Sequence, residues 1–105
     1  MDAIETTQLA RHRGVILQFV RNNHYGQRSH MDDLTLWAMM TRMGFTVAQD
    51  YVFTLLQELH NADYVKYEEK VDNRKGTRWM ERIELTTTGL RLLEGYMKDP
   101  LVLVL

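Results

Sequence analysis

The spacing of apolar residues changes period twice along this chain, and that constrains the fold more than any other feature. Up to about residue 61 they recur at helical spacing. From Tyr64 to Leu85 they alternate residue by residue, and beyond Thr87 the helical spacing returns. A chain of 105 residues that does this places helices on both sides of a β-hairpin, an α+β arrangement. Its length fits one domain, and 45% hydrophobic residues supply one modest core.

The helical stretches resolve into four. The first covers about residues 3–22, with Leu9, Ile16, Phe19 and Val20 on one stripe and Arg11, Arg13, Gln18 and Arg21 mostly off it. Gly14 inside it costs about 1 kcal/mol against alanine, or else permits a close crossing. Asn22 to Gln27 breaks the pattern. A second helix over about 32–43 is capped by Asp32 or Asp33, buries Leu34, Trp37 and Ala38, and stops at Gly44. The third opens at Thr46, with Gln49 completing a capping box, and its stripe is Val52, Leu55, Leu56 and Leu59. It ends near Asn61.

In the alternating stretch, Val65, Tyr67 and Val71 oppose Lys66, Glu68 and Lys70. Trp79, Ile83 and Leu85 then oppose Met80, Arg82 and Glu84. The segment from Asp72 to Arg78 between them is polar and turn-forming. The last helix covers about 87–98, capped by Thr86 or Thr87, with Leu90, Leu93 and Met97 on one face. Two helices joined by a tight turn, followed at once by a hairpin and a final helix, give the element order of a winged helix-turn-helix. Residues 1–98 form that domain and 99–105 an apolar tail.

Two segments carry a family resemblance. The run from Leu55 to Val65 (LLQELHNADYV) resembles the end of the recognition helix entering the wing in bacterial winged-helix regulators. The run from Ile83 to Gly95 (IELTTTGLRLLEG) is similar to the second wing strand leading into a leucine-rich last helix. Regulators of the multiple-antibiotic-resistance and phenolic-acid-repressor types share this pattern, as do small phage and prophage proteins, and the likeness covers about residues 8–98. It implies a duplex-DNA-binding transcriptional regulator that pairs as a homodimer through its first and last helices. Some members of such families serve instead as protein-docking modules.

In that reading the third helix enters the major groove and the wing touches the DNA backbone. Gln49 is a candidate adenine reader, and Thr46 a candidate for a phosphate or a thymine methyl. Lys70, Arg74, Lys75 and Arg78 against Asp72 form a basic tip suited to phosphates, although hairpin tips are often charged simply to stay solvated. Arg42, at the end of the second helix, either contacts phosphate or complements the helix dipole. Against this stands the charge distribution. The net charge of −1 splits into +2 over residues 1–31, −4 over 32–63 and +1 over 64–105. The helix-turn-helix itself is therefore acidic, and Phe53 on its outward side, unless it turns into the core, suits a protein partner better than DNA. An interaction module, phage-encoded or not, that binds no DNA is the alternative.

Other chemistry is sparse. Without cysteine there is no disulfide, thiolate site or cysteine nucleophile. His12, His24, His30 and His60 have no ligand spacing, so no metal is expected. Glu68 and Glu69 point to opposite faces of a strand, and no nucleophile–base set exists, so neither catalysis nor a cofactor is expected. Met39, Met40 and Met43 beside Trp37 read as core filling or as an adaptable pocket. The Met1–Ala10 stretch carries Asp2 and Glu5 and no apolar core of a signal, and no apolar run approaches membrane length; a cytoplasmic setting is expected. The tail Leu101-Val102-Leu103-Val104-Leu105 is costly if exposed. It either folds back over the core or, as favoured here, packs on a second subunit or partner.

Overall fold

The computed structural model describes residues 2–25 and 31–105. It is an α+β chain: helices α1 (Ala3–Tyr25), α2 (Asp33–Arg42) and α3 (Gln49–Asn61), strands β1 (Val65–Asp72) and β2 (Thr77–Leu85), then α4 (Thr87–Leu93). The strands pair antiparallel as a two-stranded sheet. Helix α1 runs through the predicted break as far as Tyr25, and the rest of that segment, with Arg28 and His30, lies outside the described residues.

The helix ends follow from local chemistry. Asp32 caps α2, its carboxylate accepting the Thr35 N–H at 2.6 Å. Thr86 caps α4 by accepting the Gly89 N–H at 3.0 Å. Three helices close in the same way. Beyond α2, Phe45 N–H reaches Met40 O and Gly44 N–H reaches Thr41 O, with Gly44 at φ +93°. Beyond α3 the same pair of bonds runs from Tyr64 to Leu59 and from Asp63 to His60. Beyond α4 it runs from Tyr96 to Arg91 and from Gly95 to Leu92. Each is a Schellman closure with its turning residue in the left-handed region. In α3 that residue is Asp63, at φ +66°, two positions past the expected end. Helix α4 stops at Leu93, short of the expected 98, because Gly95 turns the chain.

The core joins Ile16, Leu17 and Val20 of α1 to Leu36 and Met40 of α2 and to Val52, Leu55, Leu56 and Leu59 of α3. Met80 and Ile83 of β2, with Leu92 of α4, close it from the hairpin side. The stripe expected on α3 is buried as a whole. That of α2 is rotated: Leu36, Met40 and Asp33 face inward, Ala38 is exposed, and Leu34 is 51% exposed. Met39 is half-buried and Met43 exposed, so only Met40 of the three methionines fills the core.

The hairpin departs from simple alternation at one place. Lys66 pairs with Glu84 but Glu68 pairs with Glu81, so Tyr67 faces both Arg82 and Ile83. Arg82 takes the extra position at φ +54°. This bulge reverses the sidedness of β2, since each added residue swaps its two faces. Met80, placed outside by strict alternation, is therefore wholly buried, and Trp79 is only partly so.

The tail folds back. Leu103 N–H donates to Ala10 O at 2.9 Å, and its carbonyl lies so close over Gly14 that a Cβ there would sit 1.9 Å from the oxygen. Arg13 Nη1 donates to Leu101 O and Gln18 Nε2 to Leu105 O, both at 3.0 Å. The close crossing that Gly14 permits is thus with the tail and not with a helix. Val102 is buried in the core and Val104 half-buried, while Leu101, Leu103 and Leu105 face outward.

Candidate nucleic-acid interface

The turn between α2 and α3 is held from three sides. Trp37 Nε1 donates to Val47 O at 2.7 Å. Phe45 packs edge-on to the His12 ring of α1, with centroids 5.6 Å apart. Arg11 places its guanidinium 5.5 Å from the Phe45 centroid. This explains why α3 starts late. With its carbonyl taken by Trp37, Val47 stays out of the helix, and Ala48 holds the cap position with no side-chain cap bond. The capping box of Thr46 and Gln49 is not formed; Thr46 is an exposed turn residue and Gln49 the first residue of α3.

Gln49, Asp50 and Phe53 of α3 line one cleft of about 450 Å³ with Arg78 of β2 and Asp33 of α2. Arg78 lies two residues from Met80 and shares its face of the strand, so it points at α3. Its guanidinium stands 5.8 Å from the Phe53 ring centroid and pairs with Glu69 across the hairpin. Phe53 is half-buried beneath it.

Most of the hairpin's cations have acidic neighbours. Lys70 lies 3.6 Å from Glu68, Arg82 3.7 Å from the same carboxylate, and Lys66 3.4 Å from Glu84. Arg74 and Lys75 at the tip are exposed and, among the described residues, take part in no ion pair. The same holds for Arg42 at the last position of α2. Of the seven candidate DNA contacts, Arg42, Thr46, Gln49, Arg74 and Lys75 are thus exposed without an ionic partner. Lys70 and Arg78 are engaged by Glu68 and Glu69. Helix α3 itself carries Asp50 and Glu58 and neither lysine nor arginine.

Several partnerships were not legible in the chain. Arg13, expected off the apolar stripe of α1, pairs with Glu58 at 2.6 Å and bridges α1, α3 and the tail. Asp33 is buried and accepts the Met80 N–H at 3.3 Å, tying the start of α2 to β2. Burial pushes its carboxyl above the ordinary 3.8 despite the hydrogen bonds it receives. A doubled acid at a helix start, of which one suffices as cap, was the only signal. His12 Nδ1 lies 2.7 Å from the Tyr51 hydroxyl. Burial, then Arg11, lowers that imidazole below 6.5. Tyr64 donates to Asp99 at 2.5 Å; burial and then that bond push its phenol up to about 12.

Among the described residues no three acidic or histidine side chains gather as a metal would require, and no helix is long and apolar enough to cross a membrane. No protein-family model, curated protein or solved structure matches the chain.

Proposed function

We propose that this chain is a winged-helix protein that binds duplex DNA and acts in transcriptional regulation, with the β1–β2 hairpin as its wing. The observation that carries the reading is the pair of unpaired cations, Arg74 and Lys75, at the tip of a hairpin whose Arg78, next to that tip, shares a cleft with the exposed start of α3. Phosphate contacts supply most of the affinity of such proteins, and here they fall to Arg74, Lys75 and Arg42. Thr46 and Gln49 stand where base edges would be read. Arg78 serves the site indirectly, by holding the wing against Phe53.

Three available cations make for modest, salt-sensitive binding. Each neutralised phosphate contributes about −0.9 to the slope of log affinity against log salt, so a slope of about −3 per copy is expected. An anisotropy titration with random-sequence duplex at low salt measures it. Micromolar binding is expected, and the double reversal Arg74→Glu, Lys75→Glu should weaken it at least tenfold on every sequence. Absence of binding at tens of micromolar protein overturns the reading.

A second reading has its own support. The cleft between α3 and the hairpin is lined by Gln49, Asp50, Phe53, the buried Asp33 and Arg78, whose charge is already matched by Glu69, a surface poorly matched to phosphate. A docking module for another protein fits that surface, and it predicts no duplex binding even at low salt.

A further inference from the structure

Three elements meet on one titratable ring. His12 projects from α1 and bonds Tyr51 of α3 through Nδ1 at 2.7 Å. Its ring stands edge-on to both Tyr51 and Phe45, at 5.6 Å and at 88° and 83°. Phe45 belongs to the turn that carries Thr46 and leads into Gln49. The ring is half-buried, and the charges around it leave little room for another cation. From α1, Arg11 lies over Phe45 and Arg13 lies one residue on. From α3, Glu58 is already taken by Arg13, and Asp50 precedes Tyr51 in the first turn. The turn contributes Phe45 and no ionisable group, and α2 reaches it through the neutral indole of Trp37.

From this geometry we infer that His12 is a proton-sensitive latch: neutral, it clamps the α2–α3 turn to α1, and on protonation it releases the turn. A proton on Nδ1 ends that atom's capacity to accept the tyrosine hydroxyl, and the contact then persists only with the hydroxyl turned to accept from the ring. The proton also puts a second positive charge beside Arg11 in a partly desolvated pocket. The side chains that would shift are Phe45 and Tyr51, so the start of α3 would lose its fixed position. Burial and Arg11 both act against the charged form, which sets the release below the pH at which a free imidazole titrates. The latch itself is independent of what α3 binds; only its effect on DNA affinity rests on the proposed function.

The Trp37 indole N–H resonance reports the turn directly, because its acceptor is Val47 O. In a pH titration of the full chain followed by NMR, His12 should titrate below 6.5, with the Trp37 indole and the Phe45 ring moving at the same midpoint. In His12→Asn, which keeps a neutral acceptor, the two reporters should stay still over that range. In Tyr51→Phe, which removes only the hydroxyl, the His12 midpoint should rise towards 6.5. Titration of His12 at or above 6.5, or titration without movement of the Trp37 indole and Phe45, overturns the latch. Motion of the same reporters at an unchanged midpoint in His12→Asn overturns it as well. Loss of duplex affinity by wild type between pH 7.5 and 5.5, absent in His12→Asn, would extend the latch to the binding face. Failure to bind duplex at either pH speaks against the DNA reading and leaves the NMR result to decide the latch.

Discussion

Gly14 carries two opposite obligations. In an isolated helix a glycine at this position costs about 1 kcal/mol against alanine. Here its missing Cβ is the space occupied by the Leu103 carbonyl. Gly14→Ala should therefore destabilise the full chain by about 1–3 kcal/mol, the usual range for forcing atoms into a packed contact. In a chain ending at Pro100 the sign should reverse, with Gly14→Ala gaining up to about 1 kcal/mol from helix propensity. Urea melts of the four proteins close this cycle, and the same loss in both backgrounds would show that the tail is not what the glycine accommodates. From the sequence, a helix-crossing role for Gly14 was readable because glycine inside a helix demands a reason. What crossed was not, since the tail lies about ninety residues away and has no periodicity of its own.

At the level of elements, the bulge in β2 decides which side chains belong to the core. Arg82 sits at φ +54°, where a Cβ is strained and a branched one more so. Replacing it with glycine should cost nothing or gain a few tenths of a kcal/mol, since the exposed pair with Glu68 contributes little. Arg82→Val should cost about 1–2 kcal/mol and broaden the Met80 and Ile83 resonances as the register loosens. Equal stability of the two variants would exclude strain at this site. Two-residue periodicity revealed the strands and their turn but assigned Met80 to solvent, because a bulge leaves no trace in an alternation rule. The α3 stripe was legible for the converse reason: Val52, Leu55, Leu56 and Leu59 repeat without interruption. The face of α2 was misplaced because one of its buried positions is an aspartate, which any hydrophobic pattern ignores. The hairpin cations were legible as residues and not as partners, since the pairing of Arg78 with Glu69 depends on the register that the bulge sets.

For the molecule as a whole, the half-buried His12 and the buried Asp33 act on stability with opposite sign. The lowered His12 value means that the unfolded chain binds a proton more readily, so stability is held above about 6.5 and falls as pH drops through it. Asp33 has a raised value, so keeping it ionised costs stability at neutral pH, and that cost disappears as pH falls through its folded value towards 3.8. Asp33→Asn retains an acceptor for the Met80 N–H and removes the charge. Its urea midpoint should exceed that of wild type at pH 7, and the difference should shrink steadily towards pH 4. A variant less stable than wild type at pH 7 would mean that the carboxylate's bond to Met80 and its place at the start of α2 outweigh its burial. The net charge of −1 conceals a similar opposition in space, since the acids of α2 and α3 lie beside a hairpin whose cations are largely matched by its own glutamates.

The bulge also divides the hairpin into two parts under separate constraint. Residues at its base, on the α4 side of Arg82 and around Met80, answer to the interior, and any change in their number would turn core residues outward. Residues from Val71 to Thr77 answer to nothing inside the protein. Apart from the turn chemistry of Asp72 and of Gly76 at φ +68°, their length, charge and sequence are open to exchange, so a lineage carrying this fold could alter its hairpin tip by insertion or substitution while the framework beneath it stayed the same.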